Sequence, residues 1–252
     1  MRDPAADETP IPAATVVIMR ERTSGAPELL MLERAATMRF AGGALVFPGG
    51  RVDPADRALA AVMNGDDDTA CRLAAIRETI EEAGVALGFR AAPSAAELIE
   101  MRAALHGGAE LGAVVAPDAL DLDVLIPFAR WLPRGVTHRV FDTLFYLARW
   151  VEGAPEPAVD ATENSRLAWM TASDVLAAAD AGEASVIFPT RRNLERLARF
   201  ASYDAAVADA RAHPIRTVTP WVEDRDGVEY LCIPDDLGYP VTAEPMRSLR
   251  RA

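Results

Sequence analysis

Glu78, Glu81 and Glu82 stand at spacings of three and four in the segment AAIRETIEEAGV, and on an α-helix those spacings put all three carboxylates on one face. An exposed, solvated face is the ordinary account of such a pattern, but two features weigh against it. Arg77 can pair with Glu81 at i, i+4, which leaves Glu78 and Glu82 in excess, and Leu73, Ile76 and Ile80 make the adjoining face apolar. The group also sits near the C-terminal end of the helix, where the macrodipole already disfavours negative charge. A bound divalent cation would relieve both penalties, because hard cations take oxygen ligands. Such an ion would also reverse the local potential and admit a polyanionic substrate.

The elements that position these side chains follow from spacing and punctuation. A helix is predicted from about Thr69 to Ala83, stopping at Gly84, a natural residue for the left-handed turn after a helix. Strands are predicted at Ala14 to Met19 and Glu28 to Glu33, forming a hairpin across Ser24-Gly25-Ala26-Pro27, and at Gly42 to Phe47 before Pro48-Gly49-Gly50. A short strand over Val85 to Leu87 and a helix over Ser94 to Leu105 come next, the helix inside an insertion spanning 91 to 120. Longer strands are predicted at Leu122 to Leu132, Val140 to Val151 and Leu167 to Met170. Helices are predicted at Ala172 to Ala181, capped by Thr171 or Ser173, then at Thr190 to Phe200 and Tyr203 to Arg211. The tail reads as a hairpin about Asp226-Gly227. Without a regular βαβ alternation the class is α+β. Residues 1–12 read as a disordered leader, 13–200 as the main domain and 201–252 as an extension packed on it.

Bulk properties narrow the function. Half of the 252 residues are hydrophobic, enough for a sizeable core. With 26 basic and 38 acidic residues the net charge is −12 and no basic run occurs, which argues against nucleic acid as a partner. Cys71 and Cys232 form no CxxC pair or Cys/His cluster, so two reduced thiols are expected rather than a disulfide framework or zinc site. The acidic, proline-bearing start is unlike a signal peptide, and no apolar stretch approaches the roughly 20 residues of a membrane span. A cytoplasmic protein without membrane association is the expectation.

One further pattern completes the motif. Gly50 is followed after five residues by Asp56, and Arg77-Glu78-Thr79-Ile80-Glu81-Glu82-Ala83-Gly84-Val85 closes the series. This resembles the motif of the Nudix hydrolases, with Asp56 where the family has Glu and Thr79 where it has an apolar residue. Arg57 to Ile76 spans 20 residues where the family has seven, leaving the position of Asp56 relative to the helix open. The resemblance implies an α/β/α sandwich with a mixed sheet, carrying here a helical insertion and a C-terminal helical and hairpin extension. It implies Mg2+ or Mn2+ held by Glu78, Glu81, Glu82 and the carbonyl of Gly50, with Arg77 orienting a glutamate. The base would be a helix glutamate or a later loop acid, for which Glu163 is the candidate.

The stretch before the motif bears on the substrate. Leu30-Met31-Leu32-Glu33-Arg34-Ala35, Arg39, Gly43 and Phe47-Pro48-Gly49-Gly50 keep the spacings of Nudix enzymes that hydrolyse coenzyme A. Also similar to that branch are LIPFARWLP, RVFDTLFYLARW and FPTRRNLERLARF. The resemblance implies a small-molecule diphosphate substrate, coenzyme A or an acyl-CoA, with Arg34, Arg39, Phe47, Gly49 and Gly50 at the binding site. Guanidinium groups suit the 3′-phosphate and diphosphate. Phe141, Phe145 and Tyr146 fit a ligand pocket or, more ordinarily, plain core. Alternatives are ADP-ribose, dinucleotide or oxidised-nucleotide hydrolysis and a Nudix-fold ligand sensor without turnover. Members often dimerise, so a homodimer is one expected assembly.

Overall fold

The computed structural model describes residues 9–35, 41–134, 140–159 and 164–249. The chain starts its first strand earlier than composition suggests. β1 (Ile11–Arg20) takes in Ile11 and Pro12, which the sequence reading assigns to a leader, because Ile11 pairs with Phe141 and extends the ladder. β2 (Glu28–Arg34) pairs antiparallel with β1, β3 (Leu45–Val46) with β2, and β4 (Gly49–Arg51) with β1. β4 replaces what reads as turn punctuation, and the expected strand over Gly42 to Phe47 shrinks to two residues.

The 13-residue excess in the motif is largely accounted for by α1 (Pro54–Val62), an element the sequence reading leaves out. Asp53, Pro54 and Asp56 are its start signals: proline at the first position, and the Asp53 N–H donating to Asp56 Oδ2 at 2.9 Å. α2 (Asp67–Ala83) follows, with Asp66 accepting from the Thr69 N–H at 3.0 Å and Gly84 ending the helix at φ 62°. The insertion contains α3 (Ala95–His106), capped by Ser94, and α4 (Leu111–Val114). No strand forms at Val85 to Leu87. The strand expected from Leu122 begins as a 3-10 turn and becomes β5 (Ile126–Trp131), antiparallel to β6 (Phe141–Arg149). β7 (Asn164–Thr171) pairs with β2, then come α5 (Ala172–Asp180), α6 (Phe188–Leu197) and α7 (Tyr203–Ala212). β8 (Thr217–Val218) joins β5. The hairpin β9 (Trp221–Arg225) and β10 (Val228–Cys232), with β11 (Ala243–Pro245), makes a separate three-stranded sheet before α8 (Met246–Leu249).

The main sheet runs β3-β2-β1-β6-β5-β8, with β4 and β7 attached to β1 and β2. It is mixed, since β1 and β6 are parallel from Ile11/Phe141 to Met19/Arg149 while β1 and β2 are antiparallel. Strand alternation divides the interior. Val16, Ile18, Leu30, Leu32 and Tyr146 face a core built with α1 to α4, whereas Val17, Met19, Leu29, Met31 and Leu147 face a core built with α5 to α7. Both faces are covered, which is why β1 is apolar on successive residues from Val16 to Met19 instead of alternating. The result is the α/β/α layering expected from the motif. Cys71 and Cys232 are buried free thiols. Among the described residues no helix is long and apolar enough to cross a membrane.

Candidate active site

Arg77 is the hub of the acidic face, and every guanidinium N–H is used. Nε and Nη2 donate to the two oxygens of Asp56 at 3.2 and 3.0 Å, Nη1 donates to Glu78 at 2.8 Å and Glu81 at 3.0 Å, and Nη2 also reaches the Arg51 carbonyl at 3.0 Å. The inserted α1 thus does not displace Asp56 from the motif. It delivers Asp56, 1% exposed, onto Arg77 in the bidentate geometry that a planar guanidinium favours. Burial on its own would lower the Arg77 pKa, but Asp56, Glu78 and Glu81 drive it upward, so the cation is firmly held.

Glu82 points another way. It is 4% exposed, and its carboxyl accepts from the Gly49 N–H at 2.9 Å and from Asn164 Nδ2 at 3.3 Å. Burial pushes its pKa up to about 8; the neighbouring Glu78 charge adds to the rise, while the Gly49 N–H, Asn164 and the charge of Arg34 counter it. Burial also raises the Glu81 carboxyl, with Arg77 opposing the rise. Two glycines make this packing feasible. At Gly49, φ is 153° and a Cβ would come within 2.3 Å of the Ala14 carbonyl, so only glycine lets β4 lie this close to β1 and aim its N–H at Glu82. At Gly50 a Cβ would fall 2.3 Å from the Glu78 carboxyl, so the missing side chain is the space in which that carboxyl sits.

Of the residues singled out from sequence, the structure therefore brings together Arg77, Glu78, Glu81, Glu82, Gly49 and Gly50, with Arg34 near Glu82. Phe47 is a correction. It is 3% exposed and packed in the core with α5 to α7, so its side chain anchors the turn ahead of Pro48 instead of standing open to solvent. Phe145 lies in the same core, and Tyr146 is buried against α2 with its hydroxyl donating to Asp68 at 2.7 Å. Arg39 and Glu163 fall outside the described residues. Sequence reasoning missed Asn164, Arg102 and His106. Asn164 follows the candidate acid Glu163 directly, but nothing in its local pattern distinguishes a strand-end asparagine that faces a carboxyl. Arg102 and His106, on α3, lie across the end of α2: Arg102 Nε donates to the Glu81 carbonyl at 2.9 Å and its Nη2 to the Glu82 carbonyl at 3.1 Å, and His106 Nε2 is 3.1 Å from the Glu81 carbonyl.

As placed, the carboxylates contact Arg77, Gly49 and Asn164, and among the described residues no three acid, His or Cys side chains converge on one point ready to hold a metal ion. The donor set nonetheless fits a hard divalent cation. Three carboxylates lie within about one and a half turns of one helix, the Arg77 guanidinium stands as a positive charge between two of them, and the third is buried beside the charge of Glu78. A direct consequence is proton release. Because a ligating carboxylate must be ionised, titrating the protein with Mg2+ at pH 7 is expected to release up to one proton from Glu82. Calorimetry in buffers of different ionisation enthalpy measures this. Binding heats independent of the buffer would mean that Glu82 is already ionised or takes no part.

No protein-family model matches the chain. A Caenorhabditis elegans protein carrying the name nudix hydrolase 7 is 28% identical over 202 residues, which cover 76% of this chain; the chain spans 62% of that protein's length. A crystal structure of a NUDIX hydrolase from Alicyclobacillus acidocaldarius is 30% identical with a TM-score of 0.72, the match covering 80% of this chain and 97% of that one.

Proposed function

The chain belongs to the Nudix hydrolases, and we propose that it hydrolyses the diphosphate of coenzyme A or an acyl-CoA, giving 3′,5′-ADP and 4′-phosphopantetheine or its acylated form. The observation that carries the hydrolase part is the α2 face itself: Glu78, Glu81 and Glu82 gathered with Gly49, Gly50 and a fully engaged Arg77. In this reading Glu78, Glu81, Glu82 and the Gly50 carbonyl hold Mg2+ or Mn2+. When bound, the ion neutralises phosphate charge and makes a water molecule acidic enough to act as a nucleophile near neutral pH.

The protein groups do the rest. Arg77 fixes the rotamers of Glu78 and Glu81 through one nitrogen while Asp56 clamps its other edge, so neither carboxylate can swing away independently. The Gly49 N–H and Asn164 aim Glu82. The attacking water forms a P–O bond as the bridging P–O bond breaks; its proton passes to a helix glutamate or to Glu163, and the departing phosphate carries away the bridging oxygen.

Support for coenzyme A within the class comes from two features beyond the motif. Arg34, kept at the spacing of the coenzyme A branch, lies near enough to Glu82 for its charge to favour the ionised carboxylate, a position suited to a phosphate-rich ligand. An apolar cavity of about 480 Å³ opens at Gly84, two residues beyond Glu82, with Val85, Leu87, Phe89, Trp150 and Val151 among its walls. A volume in that range suits a small ligand, and here it would take the pantetheine or acyl arm. Incubating the purified protein with Mg2+ or Mn2+ and coenzyme A, octanoyl-CoA, ADP-ribose or NADH, then separating the products by chromatography, tests the assignment. The expected result is 3′,5′-ADP released from the CoA compounds at the highest kcat/KM. AMP released preferentially from ADP-ribose or NADH would overturn the coenzyme A reading and keep the hydrolase, and no turnover of any diphosphate would favour a ligand sensor.

A further inference from the structure

The C-terminal end of α2 poses a problem that the helix does not solve for itself. Its acidic residues crowd the last turn and a half, where backbone carbonyls already concentrate negative charge, and no basic residue of its own lies in that last turn. The carbonyls of residues 79 to 83 are nevertheless all satisfied. The Val85 N–H reaches Thr79 at 3.3 Å, the Gly84 N–H reaches Ile80 at 2.9 Å, and the Ala158 N–H reaches Ala83 at 2.9 Å. The two in between, on Glu81 and Glu82, accept from the fork of Arg102, with His106 also on Glu81.

We propose that Arg102 is a positioning residue for the metal-binding carboxylates, and that holding the end of α2 is what the inserted helix α3 does for the reaction. The inference rests on the reading of Glu78, Glu81 and Glu82 as metal ligands. Three features make Arg102 suited to this. Its Nε and Nη2 bridge consecutive peptide carbonyls, those of the two glutamates, so the guanidinium fixes the backbone from which both side chains project. A Cβ on Gly84 would come 3.2 Å from Arg102 Nη1, which places the guanidinium across the turn that ends the helix. Arg102 is itself well held: Leu98 and Leu105, four residues before and three after, are buried in the core shared with α2, so α3 presents all three on one face. Ser94 fixes the start of α3 by accepting from the Glu97 N–H at 3.3 Å while Glu97 accepts from the Ser94 N–H at 2.8 Å. The guanidinium also places a positive charge at the C-terminal end of α2, where the helix dipole favours one.

The test uses Arg102→Gln and Arg102→Lys in the full chain and reads Mn2+ affinity by electron paramagnetic resonance, kcat and KM on the best diphosphate substrate, and thermal stability. Arg102→Gln is expected to weaken Mn2+ binding about tenfold or more, the range found when a partner that orients metal ligands is lost, and to lower kcat with KM changed by less than about twofold. Arg102→Lys keeps the charge but cannot bridge two carbonyls, so its Mn2+ affinity is expected to fall between wild type and Arg102→Gln. Mn2+ affinity and kcat at wild-type levels in folded Arg102→Gln would overturn the proposal, whatever happens to stability, and should that variant not fold, wild-type Mn2+ affinity in Arg102→Lys would do the same. Glu82→Gln serves as the control for the premise. If it binds Mn2+ as tightly as wild type, the metal site itself is withdrawn and the role of Arg102 with it.

Discussion

Replacing Glu82 with Gln is expected to reduce kcat by roughly 10²- to 10³-fold or more, a loss comparable to that of a single key electrostatic group in an active site, while making the metal-free protein more resistant to unfolding at alkaline pH. The first effect follows from removing a ligand charge from the set. The second follows from linkage. Burial raises the Glu82 pKa to about 8 from an ordinary value of 4.5, so the folded chain holds this proton more tightly than the unfolded one. The favourable contribution is complete below the ordinary value and is lost progressively as pH climbs towards and past 8. Gln has no proton to lose, so its stability should not share that decline. Urea unfolding of both proteins at pH 5 and pH 9, in the presence of a chelator, isolates the difference. A wild-type protein that loses no stability relative to the variant between those pH values would show that Glu82 is ionised in the fold, and undiminished kcat would remove it from the machinery.

Arg77→Met should be the most damaging change to the fold itself. The guanidinium is buried and engages Asp56, Glu78, Glu81 and the Arg51 carbonyl together. Its removal strands Asp56, which is almost wholly enclosed, and losing one partner of a buried ion pair costs about 3–5 kcal/mol. Lys would not substitute, since an ammonium has three donors and no planar fork for Asp56. Adding Asp56→Asn to Arg77→Met should restore part of the stability because it removes the stranded charge, giving a positive coupling in a double-mutant cycle by denaturant unfolding. A loss below about 1 kcal/mol for Arg77→Met would mean that water reaches Asp56 and that the network has little structural weight.

What could be read from sequence was what depends on a single helix. The relative placement of Arg77, Glu78, Glu81 and Glu82 is set by helical geometry, and Gly84 ends that helix as its lack of a Cβ predicts. The longer strands of the sheet were legible in their apolar runs, but β4 and the two-residue β8 were not; Pro48-Gly49-Gly50 has the composition of a turn and becomes a strand only by pairing with β1. Counting the spacing of the motif obscured α1, although Asp53-Pro54 and Asp56 form a start signal that is visible once the excess residues are treated as an element in their own right. The contributions of Asn164, Arg102 and His106 come from chain segments far from α2, and no periodicity within a segment reports on such meetings. The burial of Phe47 was equally illegible, because the motif that contains it does not distinguish an exposed aromatic from one that holds the turn in the core.

The pairing of β1 with β6 gives this architecture a temporal side. Ala13, Ala14 and Thr15 are flanked by Arg51, Gly50 and Gly49 on one edge and by Thr143, Leu144 and Phe145 on the other, so the strand that backs the glycine turn is itself backed by residues some 130 positions later. A chain emerging from the ribosome exposes every acidic group of the motif well before the neighbour of β1 exists. The apolar run of β1 must then wait beside an open edge, where long-range parallel pairing is slow and unpaired strands invite association. The arrangement of the acidic face is therefore completed late and all together, and a nascent chain halted between residues 85 and 140 would carry the whole motif without a finished sheet to hold it.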